Sequence, residues 1–233
     1  MLPLPMKAAA AVLLLTISFV YPADSQHIIK LKLDSAEDLE LIKVKAEPAV
    51  HADKACLRVT KSADHKNEET LVIIPKVEFT DGTIEVELSG EIAPGENPNM
   101  RGFVGIAFRL QQNEHYNYEC FYLRPSNGRA DNQVRRNHSV QYISHPEYPW
   151  HRLRKEEPKK YETYVDLQPG VWTKVKIEVS GEKAKLYVHD ADQPVLIVND
   201  LKKGVSKGKI ALWLHSSTLA HFRNLTITPK NGK

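Results

Sequence analysis

A polar and aromatic cluster in the middle of the sequence holds the residue types that could do chemistry. Saccharides present hydroxyl groups around rings with apolar C–H faces, so amide and guanidinium groups beside aromatic rings suit them. Arginine also holds carboxylates and sulfates through two parallel hydrogen bonds. We therefore predict a glycan-binding segment, suited to acidic or sulfated glycans, built from Arg124, Asn127, Arg129, Asp131, Gln133, Arg135, Arg136, Asn137, His138, Gln141, Tyr142 and Trp150.

Arg109 and Tyr122 extend this candidate site onto neighbouring predicted strands. Tyr122 and Arg124 alternate with apolar residues, and Arg109 ends the apolar run before them. If the two faces coincide, a concave sheet surface presents two arginines and a tyrosine to a groove. A strand-end position that leaves the core explains Arg109 equally well. A solvated loop, with arginines paired to Glu147, Glu156 and Glu157, is the alternative for the whole cluster.

Catalytic residues are left open by the sequence. His138, His145 and Asp131 are candidate bases, with Tyr142 as a further one, but no spacing singles out a pair. Proton abstraction beside a sugar carbonyl also needs a cation to stabilise the enolate, and Arg135 or Arg136 would supply it. The pattern favours a binding protein over an enzyme. Among the tryptophans, Trp150 is the better sugar platform, while Trp172 and Trp213 lie in strands and are expected to pack.

No cofactor is required, and no metal site is predicted from the histidines. His138, His145 and His151 recur every six or seven residues in a proline-broken segment, which is unlike a helical histidine site. Asp131-Asn132 and Asp81-Gly82 could supply oxygen ligands to a structural calcium. Turn chemistry explains both pairs equally well.

The N-terminus predicts export. A lysine precedes the uncharged, mostly apolar residues 8–20, and Ala23 and Ser25 fit the small-residue preference of signal peptidase. The run is shorter than the roughly 20 residues that a spanning helix needs. We predict a signal peptide over residues 1–25, a secreted or periplasmic protein, and no stable membrane insertion after cleavage. Residues 26–233 suffice for one domain.

Charge and cysteine content exclude little. The formal net charge is +3, and the predicted cleavage removes one lysine and one aspartate, so it stays at +3. That balance is too small to predict nucleic-acid binding.

Export would permit a disulfide between Cys56 and Cys120. Both residues fall in the middle of predicted strands, so two buried free thiols are the alternative.

Alternation of apolar and polar residues recurs along the chain and predicts strands. It is clearest at Ile84, Val86 and Leu88, while residues 102–110 are apolar on both faces until Arg109, as in a central strand. No helices alternate with these strands, so we predict an all-β fold, a two-sheet antiparallel β-sandwich.

The alternation stops near residues 125–160, where prolines and glycines accumulate. Compact domains rarely keep connections this long unless they are functional or disordered. The aromatic residues of the segment, such as Tyr142 and Trp150, argue against disorder. We therefore predict a long functional loop region.

The closing strands resemble a known family. Trp172-Thr-Lys-Val-Lys-Ile-Glu-Val179 is followed by Ala184-Lys-Leu-Tyr-Val188, Gly208-Lys-Ile-Ala-Leu212 and Phe222-Arg-Asn-Leu225. This series resembles concanavalin A-like (laminin G-like) jelly rolls, and most of all the exported bacterial 3-keto-disaccharide hydrolase family. The resemblance spans roughly residues 27–229 and implies a jelly-roll fold.

Function follows less directly, because a fold hosts many activities. The resemblance implies one alternative, a hydrolase or lyase acting on 3-keto glycosides in the same pocket. Related glucanases carry three acidic residues at alternating strand positions, whereas Glu85-Val-Glu87-Leu-Ser89 has a serine at the third place. A protein-binding adhesion or structural module is a further alternative.

Overall fold

The computed structural model describes residues 28–62 and 69–230, so the predicted signal peptide lies outside the described residues. The strands are β1 (Ile29–Leu31), β2 (Glu40–Ile42), β3 (Val44–His51), β4 (Lys54–Lys61), β5 (Leu71–Phe79), β6 (Gly82–Ile92), β7 (Val104–Gln112), β8 (Tyr116–Leu123), β9 (Val140–His145), β10 (Glu162–Thr163), β11 (Thr173–Ser180), β12 (Lys183–Val188), β13 (Leu196–Val198), β14 (Gly208–Leu214) and β15 (Thr218–Pro229). Three short helices are α1 (Pro125–Gly128), α2 (Gln133–Arg136) and α3 (Trp150–Glu156).

The strands form two antiparallel sheets, which confirms the predicted all-β sandwich. The β6 sheet has the order β13-β12-β11-β6-β15-β4-β3, with β1 also paired to β15. The β8 sheet has the order β10-β9-β8-β7-β14-β5-β2. Among the described residues, no helix is long and apolar enough to cross a membrane.

The core lies between the two inner faces. Ile84, Val86 and Leu88 are buried from one sheet, as predicted, and Phe108 and Phe121 from the other. Fully burying one such side chain contributes about 1.5–3 kcal/mol. Successive strand residues point to opposite faces, so the β8 residues on either side of Phe121 lie on the outer face of the β8 sheet.

A glycine organises that outer face. Gln141, Tyr122, Gly105 and Trp213 lie side by side in register across β9, β8, β7 and β14. A Cβ at Gly105 would stand 2.2 Å from the carbonyl oxygen of Phe121 and 2.6 Å from the Cβ of Tyr122. The empty position lets the rings of Tyr122 and Trp213 stack across it, with centroids 4.9 Å apart.

Arg109, predicted to share this face, is directed elsewhere. It has a φ of +54° at a bulge where the register with β8 shifts, and it is 1% exposed. Its guanidinium donates to Thr80 O (2.9 Å), Gly181 O (2.7 Å), Gly204 O (2.7 Å) and Asp81 Oδ1 (2.9 Å). Arg109 therefore ties turns together, and Asp81, a predicted calcium ligand, is its ion-pair partner.

The two cysteines lie in different sheets, Cys56 in β4 and Cys120 in β8. Both are free and buried, so the disulfide alternative is excluded. Burial raises the pKa of both thiols, which keeps them protonated and unreactive.

Two stacked imidazoles cover part of the outer face of the β6 sheet. The rings of His51 and His221 are parallel within 8°, with centroids 4.0 Å apart. Trp172 packs beside them and donates from its indole nitrogen to His51 O at 3.1 Å. Burial, followed by the neighbouring charges of His51 and Arg58, lowers the pKa of His221 to about 4.

We expect the protein to lose stability as the pH falls from about 6.5 to 4. The folded pKa of His221 lies below the ordinary 6.5, so the unfolded chain takes up the proton first. A shift of this size corresponds to about 3 kcal/mol. Denaturant unfolding at pH 7 and pH 4.5 should show a smaller stability difference for His221→Gln than for wild type. The exposed His151→Gln serves as control, and an unchanged difference in His221→Gln would contradict the assignment.

Candidate functional site

A cavity of about 900 Å³ opens on the outer face of the β8 sheet. We call it the Arg cavity, and its lining residues are Asn99, Met100, Arg101, Phe103, Tyr122, Arg124, Asn127, Asn132, Val134, Arg135, His138, Ile143, Trp150, Arg154, Trp213 and His215. The β-strands supply its floor, and the segment that carries α1, α2 and α3 supplies much of its wall.

The floor is aromatic. Tyr122 and Trp213 stack over Gly105, and Phe103 lies 6.0 Å from the Tyr122 ring by centroid distance. The Trp213 indole nitrogen donates to Tyr118 Oη at 3.1 Å, which fixes the ring. The sequence suggested that Trp213 only packs, yet its ring lines the cavity and offers a flat surface to the C–H face of a sugar.

Arg124 is the buried centre of one wall. Its guanidinium carbon lies within 5.0–5.9 Å of the centroids of three rings, those of Phe103, Tyr122 and Trp150. The same group donates to Tyr122 Oη (2.8 Å), Gln141 Oε1 (3.2 Å) and His138 O (3.0 Å). Cation–π and hydrogen-bond contacts together hold this charge in one orientation.

Glu162 lies behind that wall and was not predicted from the sequence. Its pairing with Gln141 places it in the same register row as Tyr122. Arg154 donates to it from Nε (3.0 Å) and Nη2 (2.6 Å), and Arg124 Nη1 lies 3.9 Å away. Neither residue carries a local signal, because strand pairing brings Glu162 behind the wall and the position of α3 brings Arg154 to the cavity.

His138 stands between Glu162 and the cavity. Its Nδ1 is buried 2.7 Å from Glu162 Oε2, although outside hydrogen-bond geometry, while 23% of the side chain is exposed. The other edge of the ring therefore faces the cavity. Burial is the main cause that lowers the pKa of His138, with Arg154 and Arg124 acting in the same direction and Glu162 against them. The imidazole is consequently neutral at pH 7.

Arg101 and Arg135 bring charge to the cavity without an acidic partner among the described residues. Arg101 donates to Met100 O (3.0 Å), and Arg135 donates to Asn127 Oδ1 (2.9 Å) and Ser126 O (3.1 Å). Burial lowers the pKa of Arg101, and the like charges of Arg135 and Arg124 lower it further. An anion that entered the cavity would relieve this repulsion.

The other predicted arginines lie outside the cavity. Arg129 binds Asp166 through two hydrogen bonds of 2.7 and 2.8 Å. Arg136 donates to Tyr164 Oη at 2.8 Å and lies over its ring. Neither residue lines the Arg cavity. The solvated-loop alternative paired the arginines of the cluster with Glu147, Glu156 and Glu157. In the structure, Glu156 pairs with Arg152, Glu147 with Lys203, and Glu157 with Lys160 and Lys202.

Of the predicted polar residues near α2, one group lines the Arg cavity and the other does not. Asn127 is buried at the cavity, where it donates to His138 O at 3.0 Å. Asp131, Gln133 and Asn137 are exposed and do not line it, and Gln133 donates to Asn137 Oδ1 at 2.7 Å. Trp150 lies at the rim, 44% exposed.

Gln141 and Tyr142 face opposite sides of β9. Gln141 is buried behind Arg124 and supports its orientation. Tyr142 lies in the core, where its hydroxyl donates to Glu119 at 2.7 Å and accepts from Lys202 N at 2.9 Å. Burial and the Glu119 charge raise the pKa of Tyr142 well above its ordinary value, so it is no base.

The candidate bases are separated. His138 lines the Arg cavity, whereas His145 lines a different cavity and stacks on Tyr118. Within residues 28–62 and 69–230, no cluster of three or more His, Cys, Asp or Glu side chains could hold a metal ion. Asn132, a predicted calcium ligand, uses Oδ1 to accept from Arg135 N at 2.9 Å and so caps α2. A structural calcium remains a prediction.

Comparison with known proteins gives a family and a fold. The model described as the 3-keto-alpha-glucoside-1,2-lyase-like domain matches residues 42–228. No curated protein sequence matches the chain significantly. Carbohydrate-binding module CBM66 from Bacillus subtilis is similar in structure, with 14% identity and a TM-score of 0.52, over 82% of this chain and 96% of that one.

Two further structures share the fold. A Bacillus subtilis protein of unknown function with a galectin-like fold has 13% identity and a TM-score of 0.56, over 86% of this chain and 94% of that one. A putative glycosyl hydrolase from Parabacteroides distasonis has 12% identity and a TM-score of 0.53, over 87% of this chain and all of that one. At these identities the likeness shows a jelly-roll fold, and the activity must be argued from the site.

Proposed function

The chain belongs to the 3-keto-alpha-glucoside-1,2-lyase-like family, and on that premise we propose that it is an exported protein that binds an acidic or sulfated glycan in the Arg cavity. One observation carries the proposal. Arg101 and Arg135 approach an aromatic floor with no carboxylate paired to either among the described residues. Export rests on the apolar residues 8–20 and the cleavage-like residues after them.

The contacts suit a sugar ring that carries one anionic group. The partly exposed Trp213 ring offers a flat surface for the apolar C–H face, and the buried Tyr122 ring stacks against it. Arg101 and Arg135 would receive the carboxylate or sulfate through charge-assisted hydrogen bonds. Asn127 and Arg124 are already held by protein contacts, so binding would not have to order them.

A glycan array tests the proposal. We expect retention on glucuronate-, galacturonate- or sulfate-bearing oligosaccharides and none on their neutral counterparts. Retention should weaken as salt is added, because the anion is partly exposed to solvent. Retention on neutral glycans alone, or no retention at all, would contradict the proposal.

A second candidate function is favoured by the His138–Glu162 pair. A neutral imidazole faces the cavity with a buried carboxylate behind Nδ1. Such a base could remove the proton beside the carbonyl of a 3-keto glycoside, while Arg124 stabilises the enolate oxygen. The family supports this enzyme as the alternative to a binding protein.

Turnover of a 3-keto disaccharide, followed by chromatography, tests the enzyme. If it is an enzyme, His138→Gln should lower kcat about 100-fold or more, since a positioned base contributes at least that factor. The exposed His151 does not line the Arg cavity, so the control variant His151→Gln should keep activity. Equal activity in both variants would exclude His138 as the base, and an inactive wild type would exclude the enzyme.

A further inference from the structure

A second cavity lies on the same face of the β8 sheet, at the end of β9 away from the Arg cavity. It measures about 580 Å³, and its lining includes Glu69, Gln112, Glu114, Tyr116 and His145. We call it the His145 cavity. It combines rings with carboxylate and amide groups, the types that bind sugar hydroxyls.

The two cavities are neighbours on one strand. Ile143 lines the Arg cavity, and His145, the next residue of β9 on the same face, lines the His145 cavity. Residues two apart on a strand are about 7 Å apart. A second sugar of one chain could span that distance.

A chain of contacts through the buried Tyr118 links the two cavities. Trp213, on the Arg-cavity floor, donates to Tyr118 Oη at 3.1 Å, and Tyr118 donates to Glu69, which lines the His145 cavity. His145 stacks on the Tyr118 ring with centroids 4.9 Å apart. Groups that position the aromatic floor therefore reach into the second cavity.

The charges of the cavities differ in sign. Four arginines line the Arg cavity, and the described carboxylates do not line it. Among the described residues that line the His145 cavity, the carboxylates Glu69 and Glu114 outnumber one lysine, Lys43. The second cavity therefore disfavours an anionic sugar and suits an uncharged one.

We infer that the His145 cavity is a second sugar-binding subsite, which takes an uncharged unit adjacent to the anionic unit in the Arg cavity. This inference rests on the proposed function. The ligand is thus an oligosaccharide that places a neutral unit next to an acidic one, rather than a single sugar or a chain of uniformly acidic units.

Isothermal titration calorimetry with probes of defined charge tests the subsite. The probes are methyl β-glucuronide, a hyaluronan tetrasaccharide, in which glucuronate and N-acetylglucosamine alternate, and tetragalacturonate, in which every unit is acidic. We expect the hyaluronan tetrasaccharide to bind at least about tenfold more tightly than methyl β-glucuronide. Tetragalacturonate should gain less affinity over methyl β-glucuronide than the hyaluronan tetrasaccharide does.

The variant Gln112→Ala/Glu114→Gln should lower hyaluronan tetrasaccharide affinity to that of methyl β-glucuronide. Its affinity for methyl β-glucuronide should be unchanged, which shows that the Arg cavity is intact. Glu156→Gln on α3, outside both cavities, is the matched control. No gain with length, or a gain that survives in the double variant, would overturn the subsite alone. Failure of methyl β-glucuronide to bind would contradict the proposed function and remove the inference with it.

Discussion

Arg109→Met should lower the free energy of unfolding by about 3–5 kcal/mol, the loss typical when one partner of a buried ion pair is removed. The methionine keeps much of the apolar volume but none of the donors. Asp81 loses its counter-charge, and the carbonyls of Thr80, Gly181 and Gly204 lose their hydrogen bonds. The turns that these residues form would lose their common anchor.

Denaturant unfolding measures the loss, and Arg129→Ala is the matched control. Arg129 also makes a two-bond ion pair, with Asp166, but both side chains are about half exposed. Exposed pairs contribute about 0–1 kcal/mol, so this variant should remain close to wild type. Similar losses in the two variants would contradict the clamp role of Arg109. At a temperature where Arg109→Met is still folded, its glycan affinity should be unchanged, because Arg109 does not line the Arg cavity.

The second large effect concerns the ligand. Arg101→Ala/Arg135→Ala should weaken binding of the hyaluronan tetrasaccharide by about 100-fold or more. A hydrogen bond to a charged group contributes about 1.5–3 kcal/mol, and the double variant removes the donors of two side chains. Calorimetry measures the affinity, and the double variant should stay folded because neither guanidinium pairs with a carboxylate among the described residues.

Arg136→Ala is the control for this experiment. Arg136 follows Arg135 on α2, but it donates to Tyr164 outside the cavity. Its removal changes the net charge by one unit without removing a cavity donor, so affinity should change less than about threefold, the effect of a weakly interacting surface charge. The single variant Arg135→Ala, which removes the same charge from a cavity residue, should lose more affinity than Arg136→Ala. Equal losses in these two variants would indicate a general charge effect instead of a defined site.

Strand periodicity predicted the fold and part of the site. Tyr122 and Arg124 were assigned to one face of a strand, and both line the Arg cavity. The same rule could have separated Gln141 from Tyr142, since neighbouring strand residues point to opposite faces. The alternation rule could not predict the direction of the Arg109 side chain, because a bulge with positive φ redirects it.

The rest of the site depends on contacts between distant segments. Arg101, Trp213 and Glu162 lie outside the cluster near residues 124–150, and strand pairing alone brings Trp213 and Glu162 into the row of Tyr122. The sequence also could not show which of Arg135 and Arg136 lines the cavity, because they are identical neighbours in a charged segment. Only the position of α2 in the fold shows that Arg135 lines the cavity and Arg136 does not.

The most direct test of the account compares methyl β-glucuronide with methyl β-glucoside by calorimetry. The two probes differ only in a carboxylate in place of a hydroxymethyl group. With Arg101 and Arg135 facing the Arg cavity, the glucuronide should bind at least about tenfold more tightly, a difference of about 1.4 kcal/mol. That preference should vanish in Arg101→Ala/Arg135→Ala. Equal affinities in the wild-type protein, or tighter binding of the glucoside, would contradict an anion-selective glycan site.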